Sequence, residues 1–249
     1  MRLKPDWLTA RPIAHRGLHD AAHGVIENSA GAVRAAIAGG YGIEVDLQVS
    51  ADGEAFVHHD DVLGRLTEGE GRLDRLTAAE LRRVRFRGSD ERLLTLGELC
   101  DLVGGRAVML IELKSRFDGD TRLPARVAAV LETYAGPAAP MSFDPAQLAV
   151  LRQKAPALPR GIVAAKYRPH PYWDQMPAWL RYSMGSLLPA LPARPHFVAY
   201  AFDNLPAAAP AFARHVLCLP VLTWVVRSRT EQERARHFAD QIIFEGFRP

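Results

Sequence analysis

The sequence has few cysteines and no long apolar run. Its two cysteines, Cys100 and Cys218, form neither a C-x-x-C pair nor any zinc-ligand spacing, and both lie in apolar stretches where we expect buried free thiols. No window approaches the roughly 18 uninterrupted apolar residues of a membrane span. The N-terminal segment also lacks the apolar stretch of a secretory signal. We therefore expect no integral membrane segment and a reducing, cytoplasmic location.

The chain also lacks a strong excess of either charge. Its formal net charge of +3 is well short of the basic stripe that nucleic-acid-binding domains carry, so we expect no nucleic-acid partner. Hydrophobic residues make up 48% and charged residues 24% of the chain, which is ordinary for a folded globular protein. With 249 residues, the length fits one α/β barrel domain over 1–249. The oligomeric state stays open.

Short β-branched or apolar runs alternate along the chain with alanine- and leucine-rich stretches of helical period. This alternation is typical of βαβ units that build a parallel sheet. The predicted strands are nine in number, one more than a (βα)8 TIM barrel needs, and cover 12–16, 42–49, 55–59, 107–114, 140–143, 160–164, 197–201, 220–226 and 241–244.

The second and third predicted strands are too close together for a parallel crossover. Asp52 and Gly53 lie between them, and Asp-Gly is a strong signal for a tight hairpin. We predict a hairpin at the barrel rim, which leaves eight strands for the barrel. If Asp52 and Gly53 are the two loop residues, Asp46 faces His59 across the ladder.

Two longer segments are expected at the rim of this TIM barrel. The segment 60–106 contains two capping boxes, Thr77 to Glu80 and Thr95 to Glu98, so it is interpreted as a small helical insertion after the second strand. The arginines of this insertion are typical of a solvated helix face. The segment 166–195 is rich in proline, tyrosine and tryptophan and is too long for an ordinary βα loop. Such loops commonly cover a functional site.

Paired carboxylates give the first chemical signal. Glu44 and Asp46 lie on one side of a strand because side chains alternate with period two. On a barrel strand they would repel each other in a poorly hydrated interior, and a hard divalent cation relieves that conflict. Glu112 and Lys114 form a similar pair, in which Lys114 suits a phosphate group. The alternative is a salt-bridged network in which Lys114 only neutralises the acids.

Histidines at two strand ends give the second signal. His15, Arg16 and Gly17 end the first predicted strand, where barrel enzymes build their active sites. Arg16 suits phosphate oxygens, and Gly17 permits a sharp turn. His58 and His59 end the hairpin. Two neutral imidazoles beside a metal-bound phosphate supply the acid and base that ester cleavage needs near neutral pH.

These motifs resemble those of the glycerophosphodiester phosphodiesterase family. The resemblance rests on IAHRG (13–17), ENS (27–29), IEVDLQVSADGEAFVHHDDVLGRLT (43–67) and IELK (111–114), with softer matches at MSFD (141–144) and LTWVV (222–226). Their order and spacing match the family's His-Arg-Gly, Glu-Asn, Glu-x-Asp, His-Asp and Glu-x-Lys motifs. The resemblance implies a TIM-barrel enzyme that hydrolyses glycerophosphodiesters to glycerol 3-phosphate and an alcohol.

The resemblance also implies a metal centre and a catalytic pair. Glu44, Asp46 and Glu112 would bind a divalent metal, either Mg²⁺ or Ca²⁺. His15 and His59 would be the catalytic acid and base, with the assignment between them left open. The family's His-Asp step selects His59, and the predicted hairpin register agrees with that choice.

Further residues are implied to hold the substrate. Arg16 and Lys114 would bind the phosphodiester oxygens, while Glu27 and Asn28 would shape the site from the first loop. Trp224 is interpreted either as lining the alcohol pocket or as a core residue below the barrel rim.

The end of the chain departs from the family pattern, and two other functions stay open. The family's usual Ile-Thr-Asp-x-Pro is replaced by Ile243-Phe244-Glu245 and Gly246 to Pro249, which places Glu245 where the aspartate is expected. One alternative function is a lysophospholipase D or sphingomyelinase D-like enzyme, whose segment 166–195 contacts lipid. The other is a non-catalytic barrel that binds phosphorylated ligands.

Overall fold

A computed structural model describes residues 5–166 and 176–249, without the side chain of Tyr182. Within these residues, eight parallel strands form a closed barrel and a ninth strand is added at one edge. The strands are β1 (Ile13–Ala14), β2 (Gly42–Val49), β3 (Ala55–Val57), β4 (Met109–Leu113), β5 (Ala138–Ser142), β6 (Gly161–Ala164), β7 (Phe197–Ala201), β8 (Val221–Val226) and β9 (Gln241–Phe244).

The barrel closes where β1 pairs in parallel with both β2 and β9. β3 pairs with β2 and runs antiparallel to it, as the predicted rim hairpin requires. The predicted TIM barrel with one extra strand is therefore confirmed. β1 is shorter than predicted because Arg16 adopts a positive φ of 54°, which takes the chain out of the strand.

Helices surround the barrel. They are α1 (Ala30–Ala38), α2 (Ala78–Leu81), α3 (Leu96–Val103), α4 (Arg122–Glu132), α5 (Pro145–Lys154), α6 (Ala178–Met184), α7 (Ala208–His215) and α8 (Arg229–Ala235). Both predicted capping boxes are present, since the Thr77 and Thr95 side chains cap α2 and α3 and each N3 glutamate bonds back to the cap. None of the described helices is both long and apolar enough to cross a membrane.

Alternation along β2 and β4 decides which side chains enter the barrel. The odd-numbered residues of these strands pack outward against the helices in the larger core cluster. Leu110, from the same strand as Glu112, belongs to the inner cluster with Ile13, Val163 and Ile243. Each such buried apolar side chain contributes about 1.5–3 kcal/mol. Because the period is two, the even-numbered carboxylates must point into the barrel above this apolar plug.

The register of the hairpin differs from the prediction by one residue. Leu47 pairs with Val57, and the His58 backbone N donates to the Asp46 backbone O at 2.9 Å, so His58 rather than His59 lies opposite Asp46. The loop contains three residues between Ser50 and Glu54, which are joined by a backbone bond of 2.9 Å. The Ser50 side chain accepts from the Glu54 N at 2.8 Å and so favours the longer loop.

The insertion agrees with the sequence prediction, whereas one of the two cysteines does not. Residues 60–106 pack a satellite cluster that includes Phe56, Leu73 and Phe86, and the arginines between 82 and 87 are exposed, as a solvated face requires. Cys100 is buried, but the prediction for Cys218 is wrong: this residue is exposed, because it lies in the loop between α7 and β8. Part of the predicted rim segment 166–195, namely 167–175, lies outside the described residues.

Candidate active site and metal centre

A cavity of about 420 Å³ opens at the carboxyl ends of the barrel strands. Such ends carry the active sites of TIM-barrel enzymes. Eight of the ten residues that the sequence selected line this cavity: His15, Arg16, Glu44, Asp46, His59, Glu112, Lys114 and Trp224. Glu27 and Asn28 are not among its lining residues.

The turn after β1 places the first two of these residues. Gly17 has a φ of 77°, and a Cβ atom there would lie 2.8 Å from Ala32, so both the turn and the close packing require glycine. The backbone N of Arg16 donates to Glu44 Oε2 at 3.0 Å, and that of Gly17 donates to the Glu44 backbone O at 3.1 Å. The His-Arg-Gly turn is thereby tied to β2.

Glu44, Asp46 and Glu112 form a buried acidic cluster, and one carboxylate oxygen from each lies within 4.8 Å of the others. Their exposures are 2%, 1% and 8%. Burial raises the pKa of Glu44 well above its usual value, and the charges of Asp46 and Glu112 raise it further. Three converging oxygen donors of this kind fit a hard divalent cation. The cluster can therefore hold a metal.

Lys114 lies against the same cluster. Its Nζ is 2.8 Å from Asp46 Oδ1 and 2.6 Å from Glu112 Oε1. Burial acts to raise the pKa of Asp46, but the charges of Lys114, His59 and Arg16 prevail and hold it well below its usual value. The salt-bridged network considered from the sequence is thus present, and it coexists with the donor set. The charged form of Glu44, in contrast to that of Asp46, is disfavoured.

His15 is held by Glu245, a contact that the sequence did not predict. His15 Nδ1 lies 2.6 Å from Glu245 Oε2, while its Nε2 lies 4.0 Å from Glu44 Oε2. Burial lowers the pKa of His15, and the bond to Glu245 opposes that effect. Arg227 Nε donates to the other oxygen, Glu245 Oε1, at 2.9 Å. With Nδ1 donating to a carboxylate, the free lone pair of the neutral ring is on Nε2.

His59 has a carboxylate partner of its own. Its Nδ1 lies 2.8 Å from Asp60 Oδ1, and Arg65 Nε donates to Asp60 Oδ2 at 2.5 Å. Burial acts to raise the pKa of Asp60, but these two contacts keep it well below its usual value. An ionised carboxylate at this distance stabilises a protonated imidazole.

His58 occupies a different environment. It is 3% exposed, and its Nδ1 lies 2.8 Å from the backbone O of Asp60. It does not line the cavity, which contains His59 instead. His59 follows the end of β3, where the chain has left the ladder, and cross-strand register therefore does not determine its direction.

Glu27 and Asn28 lie behind the cavity wall. Asn28 Nδ2 donates to Asp46 Oδ2 at 2.9 Å, and the Asp46 backbone N donates to Asn28 Oδ1 at 3.2 Å. Arg16 Nη1 and Arg65 Nη2 each donate to Glu27 Oε1 at 2.7 Å. Asn28 thus positions Asp46, and Glu27 positions Arg16. Arg65 bonds both Glu27 and Asp60, so it links the Arg16 contact to the carboxylate partner of His59.

One wall of the cavity is apolar. Trp224 and Phe143 meet edge to face with ring centroids 5.6 Å apart, beside Met141, Val163 and Ile243. The indole Nε1 of Trp224 is buried and has no hydrogen-bond partner among the described residues. A buried tryptophan N–H usually finds a partner, so this donor is available to a bound molecule.

Sequence reasoning missed Glu245, Asp60 and Arg65 as parts of the site. Asp60 and Arg65 both lie inside the motif of residues 43–67, and Asp60 directly follows the predicted catalytic His59, so its adjacency was an available signal. Glu245 was noted only as a departure from a pattern. Its contact with His15 exists because β9 closes the barrel beside β1, and this closure joins residues 230 positions apart.

Comparisons with known proteins identify relatives of this chain. Residues 15–238 match the model of the "Glycerophosphoryl diester phosphodiesterase family". A glycerophosphodiester phosphodiesterase of Caldanaerobacter subterraneus is 36% identical over 113 residues, which cover 41% of this chain and 44% of that protein. Glycerophosphodiester phosphodiesterase 1 of Rattus norvegicus is 40% identical over 106 residues, which cover 39% of this chain and 30% of the rat protein. These matches span less than half of each curated relative.

Solved structures share the fold over nearly the whole chain. A phosphodiesterase of Oleispira antarctica, in complex with the product sn-glycerol-3-phosphate, superposes with a TM-score of 0.74 at 18% identity, covering 95% of this chain and 92% of its own. The glycerophosphodiester phosphodiesterase of Thermotoga maritima superposes with a TM-score of 0.68 at 21% identity, covering 93% and 92%. At these identities the likeness supports the barrel fold alone.

Proposed function

We propose that this chain, which belongs to the glycerophosphoryl diester phosphodiesterase family, hydrolyses glycerophosphodiesters to glycerol 3-phosphate and an alcohol. The observation that carries the proposal is the convergence of three carboxylates, two histidines and two cationic side chains on one cavity at the strand ends. The product named for the Oleispira antarctica protein, sn-glycerol-3-phosphate, agrees with this reaction.

In this proposal Glu44, Asp46 and Glu112 hold a divalent metal, Mg²⁺ or Ca²⁺. Their all-oxygen donor set suits both ions. When bound, the ion supplies Lewis-acid stabilisation of the charge on the phosphoryl oxygens. Asn28 keeps Asp46 oriented for this role through two hydrogen bonds, and Lys114 limits the repulsion among the three acids.

Arg16 and Lys114 bind the non-bridging phosphodiester oxygens. Both side chains line the cavity, and both form ion pairs with Asp46. Their positive charges therefore already face the site and can bind a phosphate group. Attack on phosphorus concentrates charge on these oxygens. The two cations therefore stabilise the transition state more than the ground state, which is what lowers the barrier.

His15 removes the proton from the attacking hydroxyl, which belongs to water or to the glycerol of the substrate. Its lowered pKa keeps it neutral near neutral pH, and Glu245 directs the free Nε2 lone pair toward the cavity. His59 protonates the departing alcohol, and its contact with Asp60 through Nδ1 leaves Nε2 as the nitrogen that transfers the proton. Attack by the substrate's own hydroxyl would expel the alcohol and give a cyclic phosphate, which water must then open to yield glycerol 3-phosphate. These positioned proton transfers contribute roughly 10²–10⁴ in rate.

The test is hydrolysis of glycerophosphocholine by the metal-replete chain and by two histidine variants. His59→Ala should lose about 100-fold or more in turnover, on the usual value of a general acid. His23→Ala is the matched control, because His23 is 80% exposed outside the cavity and should leave turnover unchanged. Near-normal metal-dependent turnover in His59→Ala contradicts the assignment of His59. An absence of EDTA-sensitive hydrolysis in the unaltered chain favours a non-catalytic phosphate-binding barrel.

A lysophospholipase D or sphingomyelinase D-like activity is the second candidate. It is favoured by apolar side chains in the described part of the rim segment, where Trp179 is 69%, Leu188 63% and Leu191 58% exposed. Exposing apolar side chains to water is unfavourable in free energy, and contact with lipid would remove this surface from water. Comparing glycerophosphocholine with its lysolipid parent separates the candidates, since a higher kcat/KM for the lysolipid supports the second one.

A further inference from the structure

A second group of metal-ligating side chains lies on the β1 and β9 side of the cavity. It consists of His15, His19 and Glu245, which each offer one ligand atom within 4.8 Å of the others. His15 Nδ1 is 2.6 Å and His19 Nε2 is 3.7 Å from the same oxygen, Glu245 Oε2. The group shares no residue with the acidic cluster of Glu44, Asp46 and Glu112.

An unpartnered nitrogen in this group points to a ligand. His19 Nε2 is buried and makes no hydrogen bond within the described part of the chain. The carboxylate oxygen Glu245 Oε2 is 3.7 Å away and beyond hydrogen-bond distance, and a buried ring nitrogen without a hydrogen bond is costly. A metal ion is a common partner of an imidazole lone pair. Glu245 Oε1 is already occupied by Arg227, which leaves Oε2 as the oxygen shared by both rings.

The donor set selects a different ion from that of the acidic cluster. Two imidazole nitrogens and one carboxylate oxygen are the ligands of a three-residue zinc site, whereas all-oxygen sets suit Mg²⁺ and Ca²⁺. At zinc bond lengths of about 2.0–2.1 Å, tetrahedral ligand atoms lie about 3.3 Å apart. The 2.6 and 3.7 Å separations seen here bracket that value, and the two ring nitrogens lie within 4.8 Å of each other, so changes of about 1.5 Å or less in these separations complete the site.

We propose that His15 Nδ1, His19 Nε2 and Glu245 Oε2 form a zinc site that switches the enzyme off. An imidazole that binds zinc through Nδ1 carries its ring proton on Nε2. His15 in that state has no lone pair directed at the substrate and cannot accept a proton there. Zinc binding itself is independent of the reaction, whereas the inhibition rests on the proposed function.

A separate cavity gives the ion a route to this site. It measures about 310 Å³ and is lined by His19, Asp20, Glu245 and Phe247 among others, but not by the residues of the acidic cluster. Zinc therefore enters without crossing the substrate cavity. An excess of Mg²⁺ saturates the acidic cluster and leaves the histidine site free, so Mg²⁺ should not relieve the inhibition.

The test measures Zn²⁺ alone by equilibrium dialysis in excess Mg²⁺, with the unaltered chain, His19→Gln and His23→Gln. His23 is a matched control because it lies in the same loop as His19, its side chain is 80% exposed, and its only ion pair among the described residues is with Asp20. We expect one zinc ion per chain, retained in His23→Gln. Mutations of groups that only hydrogen-bond a metal's ligands typically lower metal affinity by roughly 10- to 100-fold. Because His19→Gln removes a ligand itself, its zinc affinity should fall by more than this. His19→Ala and the circular dichroism of each variant separate lost binding from lost folding.

A second readout uses Co²⁺ in place of Zn²⁺, because tetrahedral Co²⁺ with nitrogen ligands absorbs visible light. The absorption should appear in the unaltered chain and in His23→Gln, and be lost in folded His19→Gln.

Equal zinc affinity in folded His19→Gln and the unaltered chain overturns the site. Zinc binding without inhibition of an active enzyme overturns the switch, and a chain inactive in Mg²⁺ alone refutes the proposed function while the binding result stands.

Discussion

Glu245→Gln is the substitution that most directly tests how the catalytic base is prepared. Glu245 Oε2 accepts a 2.6 Å hydrogen bond from His15 Nδ1, and both groups are largely buried. Glutamine has nearly the same shape but carries no charge, and its amide can donate to Nδ1. That reversed bond moves the His15 proton to Nε2, which is the wrong tautomer for a base facing the cavity.

The magnitude follows from two effects. A hydrogen bond to a charged group contributes about 1.5–3 kcal/mol and a neutral one about 1 kcal/mol, so the positioning of His15 weakens by about 1 kcal/mol. The reversed tautomer is the larger effect, since removing the charge of a histidine's carboxylate partner costs up to about 10⁴ in kcat elsewhere. We expect kcat for glycerophosphocholine to fall by about 10²–10⁴.

The pH profile of kcat/KM supplies a readout that a purely structural role would not move. Glu245 favours the protonated form of His15, so its loss lowers the pKa of His15 further. The acid limb of the profile, which reports protonation of the base, should therefore shift to lower pH in Glu245→Gln. Glu245→Asp keeps the charge and should retain more activity than Glu245→Gln. An unmoved acid limb with kcat within a few-fold of the unaltered chain refutes the reasoning.

Two further predictions concern stability. In the metal-free chain the raised pKa of Glu44 means that the folded state holds this proton more tightly than the unfolded state, so the contribution of Glu44 to stability is fully present at low pH and is lost as pH rises through that pKa. In EDTA, the Tm of Glu44→Gln should therefore rise relative to that of the unaltered chain as pH increases, and added Mg²⁺ or Ca²⁺ should stabilise only the unaltered chain; a Tm difference that does not change with pH contradicts this. Thr95→Ala should lower the free energy of unfolding by about 1 kcal/mol in urea, because Thr95 caps α3. Thr121→Ala is its control, since Thr121 precedes α4 without a side-chain cap bond, and equal losses in the two variants contradict the capping argument.

Local periodicity determined much of the barrel and the acidic cluster. Short apolar runs alternating with helical stretches predict the strands, and one loop too short for a crossover predicts the hairpin. Period two along β2 and β4 places Glu44, Asp46 and Glu112 on inward faces, because their odd-numbered neighbours pack against the helices. These predictions succeeded because each depends on residues a few positions apart.

Tertiary structure decided what depends on register and on closure of the barrel. The hairpin loop took three residues rather than two because Ser50 caps it, and this shifted His58 opposite Asp46. Glu245 reaches His15 only because β9 returns beside β1. Local spacing carries no information about which distant strands become neighbours, since that follows from closing the sheet around a packed interior.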